Sequence, residues 1–143
     1  MNNEIRLDES IDLGRPVHEV FAYVSDFSRV QEWDPAVSRA EKLTSGPPGV
    51  GTEFQVDMNA GFSIHYTVVE FVDNERMLMT ASSRFFTARE EIFFDAAASG
   101  TKTRAEVMEW MRRSKFGGTA PSRGHQFATL VPQRKHWEDN PEY

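Results

Sequence analysis

Residues 16–35, PVHEVFAYVSDFSRVQEWDP, decide the fold because helical spacing of apolar side chains begins here and then stops for some 75 residues. The first half of the stretch places its apolar residues at i, i+3, i+4 and i+7, on one helical stripe: Val17, Val20, Phe21 and Val24. Pro16 suits the first position of a helix, and Glu19 favours its positive start. This half predicts an amphipathic helix of about three turns.

The second half of the stretch predicts a short helix that ends before Pro35, since a residue preceding proline avoids the helical region. Ser28 and Gln31 have the spacing of a capping box at its start. We expect Asp26 to bond backbone amides where the chain turns into this helix. We expect Trp33 to pack the helix onto the edge of a sheet.

The rest of the first 111 residues has the alternation typical of strands. Seven runs qualify, separated after the third by hairpin-length turns: residues 5–13, 37–43, 54–58, 62–72, 77–82, 85–95 and 101–111. A helical spacing resumes over Ser122–Asp139, with a kink expected at Pro132. The pattern predicts a seven-stranded antiparallel sheet, two short helices after its first strand, and a last helix.

Composition restricts the classes of protein to which the chain can belong. Its 143 residues suit one domain, residues 1–143, and no apolar run is long enough to span a bilayer. The start of the chain has no pattern of a secretory signal, so we expect a cytoplasmic protein. We also expect it to be a monomer or a homodimer. The absence of cysteine excludes disulfides, zinc–thiolate sites and cysteine nucleophiles.

The charge of the chain is unevenly distributed. The net charge of −6 disfavours nucleic-acid binding, which depends on Lys and Arg contacts with phosphates. Residues 111–137 nevertheless hold 6 Lys and Arg and no acid. This basic end is either a solvated face that complements the acidic body or a surface for an anionic ligand or partner.

Five motifs, in order, make the chain resemble the START-like (SRPBCC) superfamily, and within it the polyketide cyclase/dehydrase-like branch. They are PVHEVF at Pro16–Phe21, the set Val24, Asp26, Trp33 and Pro35, GVGT at Gly49–Thr52, YTVVEF at Tyr66–Phe71, and Gly100-Thr101. The resemblance implies an α+β helix-grip fold, a curved antiparallel sheet wrapped around a C-terminal helix. It also implies a cavity for an apolar small molecule between sheet and helix. The chain departs from the family at Thr119–Tyr143, which proline breaks and which has few aliphatic residues.

The loop between the third and fourth strands decides which side chains face that cavity. A three-residue loop, Asn59–Gly61, pairs Met58 with Phe62 and turns Ile64, Tyr66, Val68 and Glu70 inward. A two-residue loop turns Ser63, His65 and Thr67 inward instead, because a one-residue slip reverses every side chain. The first alternative gives the more apolar face, and we prefer it.

Similar pairing of the later strands, together with Trp33, whose corner of the fold the resemblance places at the cavity entrance, and Phe127 of the last helix, yields a set of candidate ligand-binding residues. The set is Trp33, Met58, Phe62, Tyr66, Glu70, Met79, Phe86, Glu90, Val107 and Phe127. Its two acids need partners if they are buried, and Tyr66 is a candidate donor. They either anchor a ligand or transfer protons, or they lie near the cavity mouth, hydrated and inert.

Two functions remain after the search for chemical motifs. His18, His65, His125 and His136 are scattered without metal-ligand spacing, and no phosphate loop or nucleophile elbow occurs, so we expect no metal and no cofactor. The first function is binding of a lipid, polyketide or aromatic metabolite. The alternative is a polyketide cyclase or dehydrase that uses the cavity carboxylates, Tyr66 or His65 as acid and base. The fold alone does not choose between them.

Overall fold

The fold is described for residues 4–111 of a computed structural model. The elements are β1 (Glu4–Leu13), α1 (Val17–Val24), a 3₁₀ helix (Phe27–Glu32), β2 (Val37–Lys42), β3 (Glu53–Met58), β4 (Ser63–Val72), β5 (Arg76–Ser82), β6 (Phe86–Ala97) and β7 (Gly100–Met111). One curved antiparallel sheet contains the strands in the order β1-β7-β6-β5-β4-β3-β2. The seven predicted strands are confirmed. The predicted helix Ser122–Asp139, with Phe127, lies outside the described residues.

Alternation along β3, β6 and β7 gives the sheet a buried face and an outer face. We call the buried face of β4–β7 the inner wall: Phe62 just before β4, then Ile64, Tyr66, Val68, Met77, Met79, Ala81, Phe86, Ala88, Glu90, Ile92, Phe94, Thr101, Thr103, Ala105, Val107 and Glu109. Most of these side chains are apolar. The inner wall therefore forms one side of the core.

Helix α1 is shorter than its apolar stripe predicts, with 8 residues, and Pro16 is its N-cap rather than its first helical residue. Its buried face packs on one end of the sheet. The ring of Phe21 meets those of Phe71 and Phe94 edge to face, with centroids 5.0 Å apart in both pairs. Val20 and Val24 are fully buried beside it. The stripe thus positions α1 against the sheet.

The predicted capping box of the 3₁₀ helix is wrong, whereas the predicted role of Asp26 is confirmed. Asp26 is the N-cap, and its Oδ1 accepts from the backbone N–H of Ser28 at 3.1 Å and from the Ser28 hydroxyl at 2.5 Å. Gln31 instead extends to β2, where its Oε1 accepts from the backbone N–H of Ala40 at 2.8 Å. The aspartate lies earlier in the chain than Ser28, so it satisfies the first free amides.

The β3–β4 hairpin has the three-residue loop. Gly61 adopts a φ of 94°, and the backbone N–H of Met58 donates to the carbonyl of Phe62 at 2.8 Å. Tyr66 is consequently buried, while His65 lies on the outer face, 45% exposed, with its Nε2 2.9 Å from Glu53 Oε1. The predicted register is confirmed, and His65 does not face the core.

The predicted inward orientation of Glu70 is wrong because β4 contains a bulge. Val68 pairs with Met79 and Glu70 with Leu78, which leaves Val69 as an extra residue. The extra residue reverses the alternation, so Phe71 turns to the core and Glu70 to the outer face. There Glu70 is 48% exposed and forms an ion pair with Arg76.

Candidate functional site

Two parallel rows of side chains cross the inner wall in the register of β4–β7. One row runs Val68, Met79, Glu90 and Val107, and the other runs Tyr66, Ala81, Ala88 and Glu109. Neighbouring strands lie about 4.8 Å apart, so Tyr66 and Glu109 are separated by about 14 Å along their row. The rows join a phenol, two carboxylates and flexible apolar side chains on one surface.

The second row has alanine at both of its middle positions. Alanine ends at Cβ, whereas Met79 extends from the same strand in the adjacent row. Ala81 and Ala88 therefore have shorter side chains than Tyr66 and Glu109 at the two ends of their row.

Glu90 and Glu109 are the two carboxylates of the inner wall, with 1% and 0% of their surface exposed. They are diagonal neighbours, because Glu90 pairs with Val107 and Glu109 pairs with Ala88. Diagonal residues on one face of an antiparallel pair are about 7–8 Å apart. Burial of a carboxylate is costly unless hydrogen bonds or opposite charge compensate it. Two such groups side by side are a chemical feature that packing alone does not require.

Glu109 was not among the residues predicted from the sequence. The signal that could have found it is the alternation of β7, which continues through Thr103, Ala105 and Val107 to Glu109. The prediction stopped that face at Val107. Extending the alternation of β7 by two residues, from Val107 to Glu109, places a second acid beside Glu90.

Aromatic rings border the inner wall at two places. Phe27 of the 3₁₀ helix contacts the rings of Tyr66, Phe54 and Trp33, with centroids 5.1, 6.1 and 6.2 Å apart. Near the start of β4, Phe62 packs against Phe85 at 5.2 Å and Phe86 at 6.2 Å. Trp33 is 1% exposed, so it packs the 3₁₀ helix onto the sheet as predicted.

Most of the predicted ligand-binding residues share the buried side of the sheet. Those on it are Met58, Phe62, Tyr66, Met79, Phe86, Glu90 and Val107, with Trp33 beside its β3 end. Glu70 is on the outer face, and Phe127 lies outside the described residues. The bulge removes Glu70 from the site, so it is not a partner for Tyr66.

Other kinds of site find little support in the described part of the chain. Over residues 4–111, no three His, Asp or Glu side chains are placed to hold a metal ion. Within the same range, no helix is long and apolar enough to cross a membrane.

Comparisons with known proteins give the family of the chain. The family model described as polyketide cyclase / dehydrase and lipid transport matches residues 4–132. Curated proteins gave no match. Among solved structures, ginseng major latex-like protein 151 from Panax ginseng is similar with a TM-score of 0.68 at 6% identity, over 99% of both chains.

Two further solved structures are similar in fold. A START superfamily protein from Mycobacterium smegmatis has a TM-score of 0.62 at 12% identity, over 96% of this chain and 94% of that one. The di-domain aromatase/cyclase StfQ from the steffimycin biosynthetic pathway has a TM-score of 0.64 at 14% identity, over 95% of this chain and 45% of that one. With the family model matching most of its length, the chain belongs to the polyketide cyclase/dehydrase and lipid transport family.

Proposed function

We propose that the chain is a single domain that binds an apolar small molecule against the inner wall. The ligand class is a lipid, a polyketide or an aromatic metabolite, and residues after Met111 close the hollow from the other side, as a C-terminal helix over Ser122–Asp139. Ligand pockets in proteins are mostly apolar, with a few polar groups that fix orientation. The inner wall has this composition, with Tyr66, Glu90 and Glu109 as its polar groups.

The observation that carries the proposal is the alanine pair between Tyr66 and Glu109. A sheet face packed only for stability is expected to fill such positions with larger side chains, because interiors are close-packed. Here the two small residues lie next to each other on neighbouring strands. They leave room for the body of a ligand, and the phenol and carboxylate can bond its polar ends.

Native mass spectrometry of the protein purified from its own host tests this proposal. We expect a fraction of the protein to carry an additional mass of a few hundred daltons that disappears under denaturing conditions. The released molecule then identifies the ligand class. A single unliganded mass, together with no uptake of fatty acids or aromatic polyketides on incubation, would contradict the proposal.

A second candidate function is catalysis of a cyclase or dehydrase reaction, which the Glu90–Glu109 pair favours. The two carboxylates lie on neighbouring strands and on the same face of the sheet. That arrangement suits general acid–base work on a carbonyl substrate. The variants Glu90→Gln and Glu109→Gln distinguish the two functions. Loss of turnover in the variants, with ligand binding retained, supports the enzyme. A wild type that shows no turnover, with ligand binding retained in the variants, supports the carrier.

A further inference from the structure

The two edge strands of the sheet differ in how their free edges are protected. Strand β2 has 6 residues and a bulge between Val37 and Arg39, and the Ala40 N–H on it donates to a side chain of the 3₁₀ helix. Strand β1 at the other edge has 10 residues, all paired with β7 without a register shift. Proteins commonly protect an edge by a short strand or a bulge, and β1 has neither. Among residues 4–111, the backbone of Ile5–Asp8 bonds to β7 alone.

The outer face of β1 carries an acid that lacks a cation. Asp8 is opposite Glu106 of β7, which is opposite Glu91 of β6, so three carboxylates lie in one row across the sheet. Like charges directly opposite each other destabilise a strand pair. Glu106 and Glu91 each form an ion pair with an arginine of the same face. Within the described fold Asp8 has no such partner, and the open edge beside it is where a cation can approach.

Arg6 is a cation on the same edge, and it is weakly held. Its side chain is 73% exposed, and its Nη2 lies 3.5 Å from Glu4 Oε1. An exposed pair of this kind contributes little to stability. Arg6 and Asp8 are two residues apart on one face of β1, whereas side chains directly opposite on two antiparallel strands are only about 4.5–5.5 Å apart at Cβ. A second β1 can therefore bring the Arg6 of one copy close to the Asp8 of the other.

The charges select one register for two antiparallel β1 strands. Arg6 is the one Arg or Lys in Glu4–Leu13, so a cation is opposite Asp8 only when Arg6 pairs with Asp8. A two-fold axis through Leu7 creates this pair twice. An axis through Arg6 or through Asp8 instead places two like charges opposite each other, which is unfavourable. Leu7 on the axis meets its own copy, and the inner faces of the two sheets lie on the same side.

We propose that two copies of the chain pair through β1 in antiparallel register, with Leu7 on the two-fold axis. Arg6 of each copy then lies opposite Asp8 of the other, at the end of the acidic row. The residues Glu4–Ser10 of the two strands oppose each other over about 24 Å. Backbone groups that the edge leaves free bond to the second copy, and the two seven-stranded sheets become one.

Sedimentation velocity of the full-length protein over roughly 1–500 μM tests the dimer. We expect the wild type to dimerise as its concentration rises. Arg6→Asp and Asp8→Arg should each weaken the dimer about tenfold or more, because like charges then face each other across the axis. The combined variant Arg6→Asp/Asp8→Arg places opposite charges together again, so its dimer should return to within about threefold of the wild type.

The matched control for the charge reversals is Arg89→Asp. Arg89 is also exposed and outward-facing, but it lies on β6, two strands from the open edge. Its reversal changes the net charge as much as Arg6→Asp does. We expect it to leave the dimer within about twofold of the wild type, since exposed charges that are not paired contribute little.

A single introduced cysteine reports the register, because the chain has none of its own. Leu7→Cys places the two thiols opposite each other on the axis, with Cα atoms about 4.5–5.5 Å apart, which suits a disulfide. Ile5→Cys lies on the same face of the same strand, but its two thiol positions are about 14 Å apart. Under mild oxidation, Leu7→Cys should form a disulfide dimer on a non-reducing gel about tenfold faster or more than Ile5→Cys.

Three results would overturn the proposal. The first is a monomer at every concentration, which means that no second copy covers β1. The second is a dimer that the single charge reversals do not weaken, or that the combined variant does not restore. The third is equal oxidation of the two cysteine variants. The charge variants lie at exposed positions, so they decide the question even if Leu7→Cys does not fold. Ligand uptake in native mass spectrometry is unaffected by any of these outcomes, so the dimer and the binding function are tested separately.

Discussion

Asp57 on β3 is the carboxylate whose ionisation the structure most directly controls. The Ser63 hydroxyl donates to its Oδ1 at 2.6 Å and the Gln55 amide at 3.1 Å. The two bonds, with that from Ser63 the stronger cause, hold the pKa of Asp57 below its usual 3.8. A lowered pKa in the folded state stabilises the fold above the ordinary value, and this contribution is lost as the pH falls through the folded pKa.

We therefore expect Ser63→Ala to raise the pKa of Asp57 towards its ordinary value, as measured by NMR titration of the carboxyl carbon. The variant should lose more stability near neutral pH than at about pH 2, where Asp57 is protonated in both states. Ser38→Ala is the matched control, because the Ser38 hydroxyl donates to the backbone carbonyl of Asp57 and not to its carboxylate. Equal pKa values in both variants would contradict the assignment.

The acids of the inner wall show what a sequence can and cannot predict about single residues. Alternation predicts the inward position of Glu90, and it would also have predicted Glu109. It fails for Glu70, because the bulge at Val69 has no signal in a run of β-branched and apolar residues. Only the pairing of β4 with β5 reveals the extra residue.

Among the elements, the 3₁₀ helix depends on its Asp26 cap. Removal of the carboxyl oxygen in Asp26→Ala should cost about 1 kcal/mol of unfolding free energy, because it leaves an amide without its acceptor. Asp26→Asn keeps an oxygen at the same place and should cost a small fraction of this. Urea denaturation of the two variants checks the difference, and an equal loss in both would argue against the cap.

The β6–β7 hairpin depends on Gly100. This residue has a φ of 142°, and an added Cβ would lie 2.0 Å from the carbonyl oxygen of Leu13 at the end of β1. Gly100→Ala should therefore destabilise the protein by well over about 2 kcal/mol, since backbone has to move.

Gly61→Ala is the control for Gly100→Ala. Gly61 also has a positive φ, of 94°, but nothing lies within 4 Å of an added Cβ. Gly61→Ala should lower the free energy of unfolding by only about 1 kcal/mol, because the left-handed backbone conformation is its one source of strain. Similar thermal denaturation temperatures for the two variants would show that the contact with Leu13 is not rigid.

Periodicity explains why the elements themselves could be predicted. Strands that are buried on one face alternate, and hairpin turns carry glycine, as at Gly61 and Gly100. The ends of the helices were less predictable. Pro16 has an extended ψ of 150°, and Gln31 accepts a hydrogen bond from the backbone of β2. Both features depend on tertiary contacts.

At the scale of the whole molecule, the order of strands and helices gives an inner wall that is apolar except for Tyr66, Glu90, Glu109 and two threonines near α1. The five motifs in their order, among them Pro16–Phe21 and Tyr66–Phe71, indicate the family that the family model matches over residues 4–132. They do not identify a ligand, because one fold supports many different functions.

The central claim is that the alanine row of the inner wall is the floor of a ligand site, and Ala88→Leu tests it most directly. The matched control is Thr87→Leu, the preceding residue of β6, which faces outward. The measurement is titration of both variants and the wild type with the neutral fluorescent probe Nile red, with thermal unfolding as a check of the fold. A leucine in a hollow occupies ligand space at little cost in stability.

We predict that the wild type and Thr87→Leu bind the probe alike, whereas Ala88→Leu binds it about tenfold more weakly or not at all and keeps its unfolding temperature. The contradictory result is a wild type that takes up no probe, with Ala88→Leu destabilised by about 1–3 kcal/mol, as overpacking of a filled core requires.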